Sequence, residues 1–87
     1  MRMDPIGLYE AVRGRSDFGE LVEDLLDVAL TTYNHHLIDP GEGERLADLY
    51  ERGALHDADG FKFLCELAMR TEPEKFREVL RRRGLEV

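Results

Sequence analysis

Residues 17–38, DFGELVEDLLDVALTTYNHHLI, repeat their apolar side chains with the period of an α-helix. Winding the stretch as a helix places the acids Glu20, Glu23, Asp24 and Asp27 on one side and an apolar arc on the other. The arc contains Phe18, Val22, Leu25, Leu26, Val28, Ala29, Leu30, Tyr33, His36 and Leu37. It spans roughly 200°, about twice the width of the stripe on a typical surface helix. We therefore predict one long helix that is covered from two sides.

Capping residues and helix-breaking residues divide the chain before and after this helix. Asp4, followed by Pro5, predicts the start of a short first helix that Gly14 ends. The long helix opens at Ser16 or Asp17 and should end near residue 38, since the next residue precedes a proline. That pair, Asp39-Pro40, starts a third helix, which ends at Gly53.

Two further helices complete the predicted fold. One runs from about Gly60 to Arg70, and the next is capped by Thr71 and closed by Gly84, with Leu85 behind it as in a Schellman motif. No period-two alternation indicates a strand. We expect an all-α fold, a compact bundle of four or five helices around the long central helix at about 17–38. The 87 residues should form one domain, 1–87, because so short a chain cannot close two cores.

Composition narrows the classes of function. The formal net charge is −7, and residues 16–59 hold twelve acidic residues and only two basic ones. Such an acidic segment repels nucleic acid and anionic membranes. No apolar run approaches the ~18 residues of a membrane span, and no secretory signal is recognisable at the start. The single cysteine excludes an intramolecular disulfide. We expect a cytoplasmic protein that makes no membrane contact.

The width of the arc also bears on assembly. The shorter helices supply limited apolar cover, including Leu46, Ala47, Leu49 and Tyr50 from the third. Small domains often gain stability by oligomerisation, and two-fold homodimers are the commonest assembly. We predict a homodimer whose interface uses one strip of the long helix, with a basic protein partner as a possible ligand of the acidic face. The predicted interface residues are Leu26, Leu30, Tyr33 and Leu37.

Residues 55–66, LHDADGFKFLCE, partly match a calcium-binding loop of the EF-hand type. Asp57, Asp59 and Glu66 fall on the third, fifth and twelfth positions of such a loop. The first position is Leu55, which lacks a carboxylate, and the eighth is Lys62, which brings a positive charge near the ion. We favour the alternative that the two aspartates cap a helix N-terminus.

A small zinc site is the second possibility for a bound ion. His36 lies on the apolar arc, and His56 or Cys65 could complete its ligand set. No C-x₂-C or H-x₃₋₅-H spacing supports a metal, and a core histidine bonded to a carbonyl explains His36 equally well. We expect no metal and no cofactor, and keep a small metal- or ligand-binding protein as an alternative function.

The C-terminal arginine run supplies the other alternative. Arg81, Arg82 and Arg83 could contact nucleic acid or phosphate as part of a regulator. The helix macrodipole also stabilises cations in the last turn of a helix, so the arginines need no ligand to explain them. They would in addition be attracted to the acidic residues 17–27. The single serine, Ser16, lies in no nucleophile motif, and no glycine-rich phosphate loop occurs. We therefore predict a non-catalytic, self-associating protein–protein interaction module.

Overall fold

The computed structural model describes residues 4–34 and 39–85, without the side chains of residues 32–34. These residues form five α-helices and one short 3₁₀ turn, with no strand among them, which confirms the predicted all-α bundle. The helices are α1 (Pro5–Val12), α2 (Phe18–Asn34), α3 (Pro40–Glu51), α4 (Ala58–Thr71) and α5 (Pro73–Arg81), and the 3₁₀ turn Ala54–His56 precedes α4. No described helix is long and apolar enough to cross a membrane.

The central position is shared rather than held by α2 alone. Helix α4 packs against α1, α2, α5 and the 3₁₀ turn. The predicted continuation of α2 as far as residue 38 lies outside the described residues. Helix α4 takes this place because six of its residues are buried, a wide apolar face for its length. They are Gly60, Phe61, Leu64, Cys65, Leu67 and Ala68.

Two helix starts follow the predicted chemistry. Asp4 accepts a hydrogen bond from the backbone nitrogen of Ile6 at 3.2 Å. Asp39 and Glu42 form a capping box, in which the Asp39 backbone nitrogen donates to Glu42 Oε1 at 3.1 Å.

The end of α5 is a Schellman motif, as the sequence predicts. Gly84 adopts φ 73°, and its backbone nitrogen donates to the Arg81 carbonyl at 3.0 Å. The Leu85 nitrogen donates to the Leu80 carbonyl at 3.0 Å. The half-buried Leu85 side chain packs against the core, so the last described turn is anchored by apolar contact as well.

Two predicted boundaries around α4 are wrong. The helix begins at Ala58 rather than at Gly60, and Thr71 is its last residue rather than the cap of α5. The Thr71 hydroxyl donates back to the Leu67 carbonyl at 2.6 Å. Helix α5 starts instead at Pro73, whose ring forces the preceding residue out of the helical region.

Gly60 has a packing role that its place near a turn does not reveal. It is buried in the first turn of α4, where a Cβ would lie 2.0 Å from the Ala54 carbonyl oxygen. Because no side chain fits that distance, glycine lets α4 approach the backbone of the 3₁₀ turn directly. Its φ lies outside the left-handed region, in contrast to Gly53 at φ 69°.

The described part of the α2 arc is buried over most of its width. Side chains from all five helices and the 3₁₀ turn join in one hydrophobic cluster around it. Leu21, which the predicted arc omitted although it lies between Val28 and Leu25, is fully buried. Coverage stops at the edge of the arc, since Leu26 is 6% exposed but Leu30 is 44% exposed. The chain therefore covers one side of the arc and leaves the other open at Leu30.

Candidate functional site

An apolar groove runs between α2 and α3, on the side of α2 that the chain leaves open. Leu26 and Leu46 are buried and form its floor, while Leu30 and Tyr50 are 44% and 52% exposed on opposite walls. The exposed Ala47 lies on the α3 side. The groove has a volume of about 570 Å³. That volume is within the range of about 300–1,000 Å³ that is usual for binding pockets.

The groove exists because of the way α3 is attached. Helix α3 contacts the rest of the described chain mainly at the 3₁₀ turn and touches α2 only sparsely. Leu46 and Leu49 are buried and hold α3 to the core, whereas Tyr50 is exposed and lines the groove. The two helices are therefore close enough to share a cleft and too far apart to close it.

Four carboxylates surround this opening, which we call the acidic rim. Glu23 and Asp27 come from α2, and Glu44 and Glu51 come from α3. All four are exposed, and the described residues that line the groove include no lysine or arginine. None of the four forms an ion pair with another residue that the structure describes. The groove is thus apolar inside and negative at its edge.

Most of the arginines that the structure describes pair with carboxylates outside the groove. Seven described arginines form ion pairs within the chain: Arg13–Glu10, Arg15–Asp17, Arg52–Asp48, Arg70–Glu42, Arg77–Glu74, Arg82–Glu78 and Arg83–Asp24. Arg45 lies over the Phe63 ring instead, with its guanidinium carbon 4.4 Å from the ring centroid. The acidic rim is left without these internal partners.

The arginine run divides into residues with different environments. Arg83 is 12% exposed and its Nη2 lies 2.6 Å from Asp24 Oδ2, so the predicted attraction to residues 17–27 is confirmed for this residue. Arg82 is exposed and pairs with Glu78 at 3.3 Å, and Arg81 is also exposed. The three guanidinium groups therefore do not share one surface.

A second arginine reinforces the junction between α5 and α2. Arg15 donates to both carboxylate oxygens of Asp17, at 2.8 and 3.1 Å, and to the Arg83 carbonyl at 3.2 Å. The Arg15 hydrogen bond is the main reason why the pKa of Asp17 is lowered, and it raises the pKa of Arg15 in turn. These contacts fix the end of α5 on the start of α2.

The calcium-loop residues lie on a helix. Residues 58–66 are α-helical, so Asp59 and Glu66 are separated by about 10.5 Å along the helix axis. Both side chains are exposed. Asp57 occupies the N-cap position of α4 with extended backbone angles, as the capping interpretation predicts, although its side chain makes no capping hydrogen bond. The structure does not bring the three carboxylates around one point.

The histidine and cysteine candidates are also apart from one another. Cys65 is fully buried in the core, and burial raises the pKa of its thiol far above the ordinary value. His56 is exposed, with its ring 5.5 Å from the Phe18 ring in an edge contact. His36 lies outside the described residues, as does Leu37 of the predicted interface. Within the described ranges, no three His, Cys, Asp or Glu side chains could hold a metal ion together.

His56 belongs to an aromatic cluster that holds α1. The Tyr9 hydroxyl donates to the His56 carbonyl at 3.3 Å, and the Tyr9 ring lies 6.1 Å from Phe18 and 5.7 Å from Phe61. The cluster joins α1, α2, α4 and the 3₁₀ turn through rings of high contact area. These contacts place His56 in the packing between the 3₁₀ turn, α1 and α2.

Tyr50 is the groove residue that the sequence interpretation missed. The apolar period of α3 assigns it to the core, with Leu46 and Leu49, yet it is more than half exposed. Tyr33 of the predicted interface lies in the last turn of α2.

Comparison of the chain with protein-family models, with curated proteins and with solved structures finds no match. The groove must therefore be interpreted from its own chemistry.

Proposed function

We propose that this chain is a non-catalytic interaction module that binds protein through the α2–α3 groove. The observation that carries the proposal is the exposure of Leu30 and Tyr50 on opposite walls of one apolar cleft. Covering each of them would contribute about 1–2 kcal/mol, since each is already about half buried. Large exposed apolar residues that share a concave surface are typical of a protein-binding site.

The chemistry of the remaining candidates supports a non-catalytic role. The Cys65 thiol is inside the core, where its raised pKa disfavours the thiolate that nucleophilic catalysis requires. Asp57, Asp59 and Glu66 are distributed along the start and length of α4. Binding through shape and apolar contact needs none of these groups.

Self-association is one form of this proposal, and the sequence favours it. A second copy would cover Leu30 on the open edge of the α2 arc, where coverage by the chain itself ends. Self-association can be measured as the solution mass of the chain by light scattering across a range of protein concentrations. A dimer that Leu30→Asp converts to a folded monomer supports self-association, whereas a wild-type monomer at all concentrations removes it.

Selection of displayed peptides against the folded chain tests the wider proposal. We expect the selected peptides to shift backbone amide resonances around Leu30 and Tyr50, and to lose binding to the variant Leu30→Asp. Ile6→Asp is the matched control, because Ile6 is 41% exposed on α1 and does not line the groove. Peptides that bind equally well to both variants would place the binding surface elsewhere and overturn the proposal.

The nucleic-acid alternative has a sharper test than the sequence alone allows. The exposed Arg81 and Arg82 can be changed to alanine together, while Arg83 is retained for its contact with Asp24. Salt-sensitive binding of a duplex or single strand that this double variant abolishes would support the alternative. Unchanged binding, or none by the wild-type chain, would remove it.

A further inference from the structure

The partner of the α2–α3 groove can be specified by charge and shape. Resting on the proposed function, we infer that the groove binds an amphipathic α-helix of a different protein that carries Lys or Arg on both flanks of its apolar face. This goes beyond protein binding in general, because it names the charge and the secondary structure of the occupant and excludes a second copy of the chain.

The charge of the occupant follows from the acidic rim. Glu23 and Asp27 stand along one wall, and Glu44 and Glu51 stand along the other. The chain pairs seven arginines with carboxylates elsewhere, while these four have no ion-pair partner among the described residues. A ligand with cations on both flanks supplies opposite charge on both walls at once, which favours encounter and fixes orientation.

The same rim disfavours a second copy. Two grooves placed face to face across a two-fold axis would bring the acidic rims of both chains together. Each chain already carries a formal net charge of −7, so repulsion acts at long range as well as at the contact. Self-association through this surface therefore works against both local and overall charge.

The shape of the groove favours a helix. Its walls are two helices, and α3 contains 12 residues, which gives a wall about 18 Å long. A helical ligand of about three turns matches that length. Apolar side chains at positions i, i+3 or i+4, and i+7 of such a ligand would meet the floor at Leu26 and Leu46 and the walls at Leu30 and Tyr50.

Two synthetic peptides test the inference directly. Both have about 15 residues, enough to span the groove when helical, and identical leucine positions on one face. One carries Lys on the flanks of that face and the other carries Glu. We expect the Lys peptide to bind about tenfold or more tightly than the Glu peptide in low salt, measured by calorimetry, and to weaken as salt shortens the Debye length.

Neutralised variants locate the charge effect. Glu23→Gln combined with Glu51→Gln removes one carboxylate from each wall, and we expect about threefold or greater loss of Lys-peptide affinity. Asp59→Asn combined with Glu66→Gln is the matched control, because both residues are exposed on α4 and neither lines the groove. It removes the same amount of charge and should leave affinity nearly unchanged.

The outcomes separate this inference from the function on which it rests. Equal binding of the two peptides, failure of the Lys peptide to bind, or equal loss in both double variants overturns the inference. A homodimer that Leu30→Asp disrupts, or a Glu peptide bound at the groove, overturns it while the proposed function survives. Lys-peptide binding that Leu30→Asp leaves unchanged would reflect surface charge alone and would overturn both.

Discussion

Arg83 Nη2 lies 2.6 Å from Asp24 Oδ2, an ion pair that joins the end of α5 to α2 across 59 residues of sequence. The arginine side chain is 12% exposed, and its Nε makes no hydrogen bond with the described residues. Asp17 Oδ2 lies 3.7 Å from this Nε. The contact therefore differs from the exposed ion pairs elsewhere, because a largely buried guanidinium depends on Asp24 for its shortest hydrogen bond.

We predict that Asp24→Asn lowers the free energy of unfolding by about 1–2 kcal/mol, because the buried charge loses its ionised partner. Urea denaturation measures the change. Glu78→Gln is the control, since it neutralises the exposed partner of Arg82 and should cost less than about 0.5 kcal/mol. Equal losses in the two variants would contradict a special role for the Arg83 contact.

Gly60→Ala should destabilise the fold strongly. The added Cβ would lie 2.0 Å from the Ala54 carbonyl oxygen, so α4 must move away from the 3₁₀ turn, at a cost of about 3 kcal/mol or more. Gly19→Ala is the matched control in α2, where nothing lies within 4 Å of the new Cβ. It should stabilise the chain by about 0.5–1 kcal/mol. Thermal unfolding compares them, and a neutral Gly60→Ala would contradict the close approach.

The Cys65 thiol should be unreactive while the chain is folded. It is fully buried, and burial, followed by the charge of Glu66, raises its pKa. We expect a thiol-specific reagent to label it slowly at neutral pH and at once after unfolding in denaturant. Stoichiometric labelling of the folded chain within the mixing time would show that the thiol is accessible and would reopen its role as a ligand.

Stability in acid should depend on Glu42. Arg70 donates to both of its carboxylate oxygens, at 2.8 and 2.9 Å, and this lowers the pKa of Glu42, as does the bond from the Asp39 backbone. A folded-state pKa below the unfolded one contributes stability above the unfolded pKa and loses it as pH falls through the folded value. The effect is about 0.5 kcal/mol, because the Arg70 side chain is 55% exposed and solvent screens the pair.

Glu42→Gln tests this dependence. Urea midpoints of the variant and the wild-type chain should differ near neutral pH and converge as the medium becomes strongly acidic. Arg70→Gln should reduce the same acid dependence, since it removes the main cause of the lowered pKa. A difference between wild type and Glu42→Gln that stays constant at all pH values would contradict the assignment.

Helix ends set by local chemistry were predictable, whereas those set by packing were not. Asp4, Asp39 and Gly84 act within a few residues of chain, and their motifs occur as the sequence indicates. Gly60 resembles a turn residue in the sequence, but its role depends on the distant approach of the Ala54 carbonyl. Thr71 is an exception, because it matched a cap pattern but the nearby Pro73 starts α5 itself, so this end was missed although local chemistry sets it.

The candidate site was predictable in part for the same reason. The width of the α2 arc predicted apolar surface beyond the chain's own cover, because helical periodicity is a local property. Leu30 of the predicted strip is 44% exposed, whereas Leu26 of the same strip is 6% exposed. The exposure of Tyr50 was missed, since periodicity shows that α3 has an apolar face but not how far α3 stands from α2. Five of the seven arginine ion pairs join residues two to four apart in sequence, so most of the pairing that spares the acidic rim is local. Only Arg70–Glu42 and Arg83–Asp24 depend on tertiary structure.

The position of Tyr50 has a practical consequence for spectroscopy. The chain contains no tryptophan and three tyrosines, and Tyr50 lies in the wall of the groove, 52% exposed. Tyr9, by contrast, is held among Phe18 and Phe61 in the folded core. An occupant of the groove should therefore alter the intrinsic fluorescence of Tyr50 and spare that of Tyr9. Binding can therefore be followed by the tyrosine fluorescence of the unlabelled chain, with the variant Tyr50→Phe as the control that lacks the Tyr50 signal.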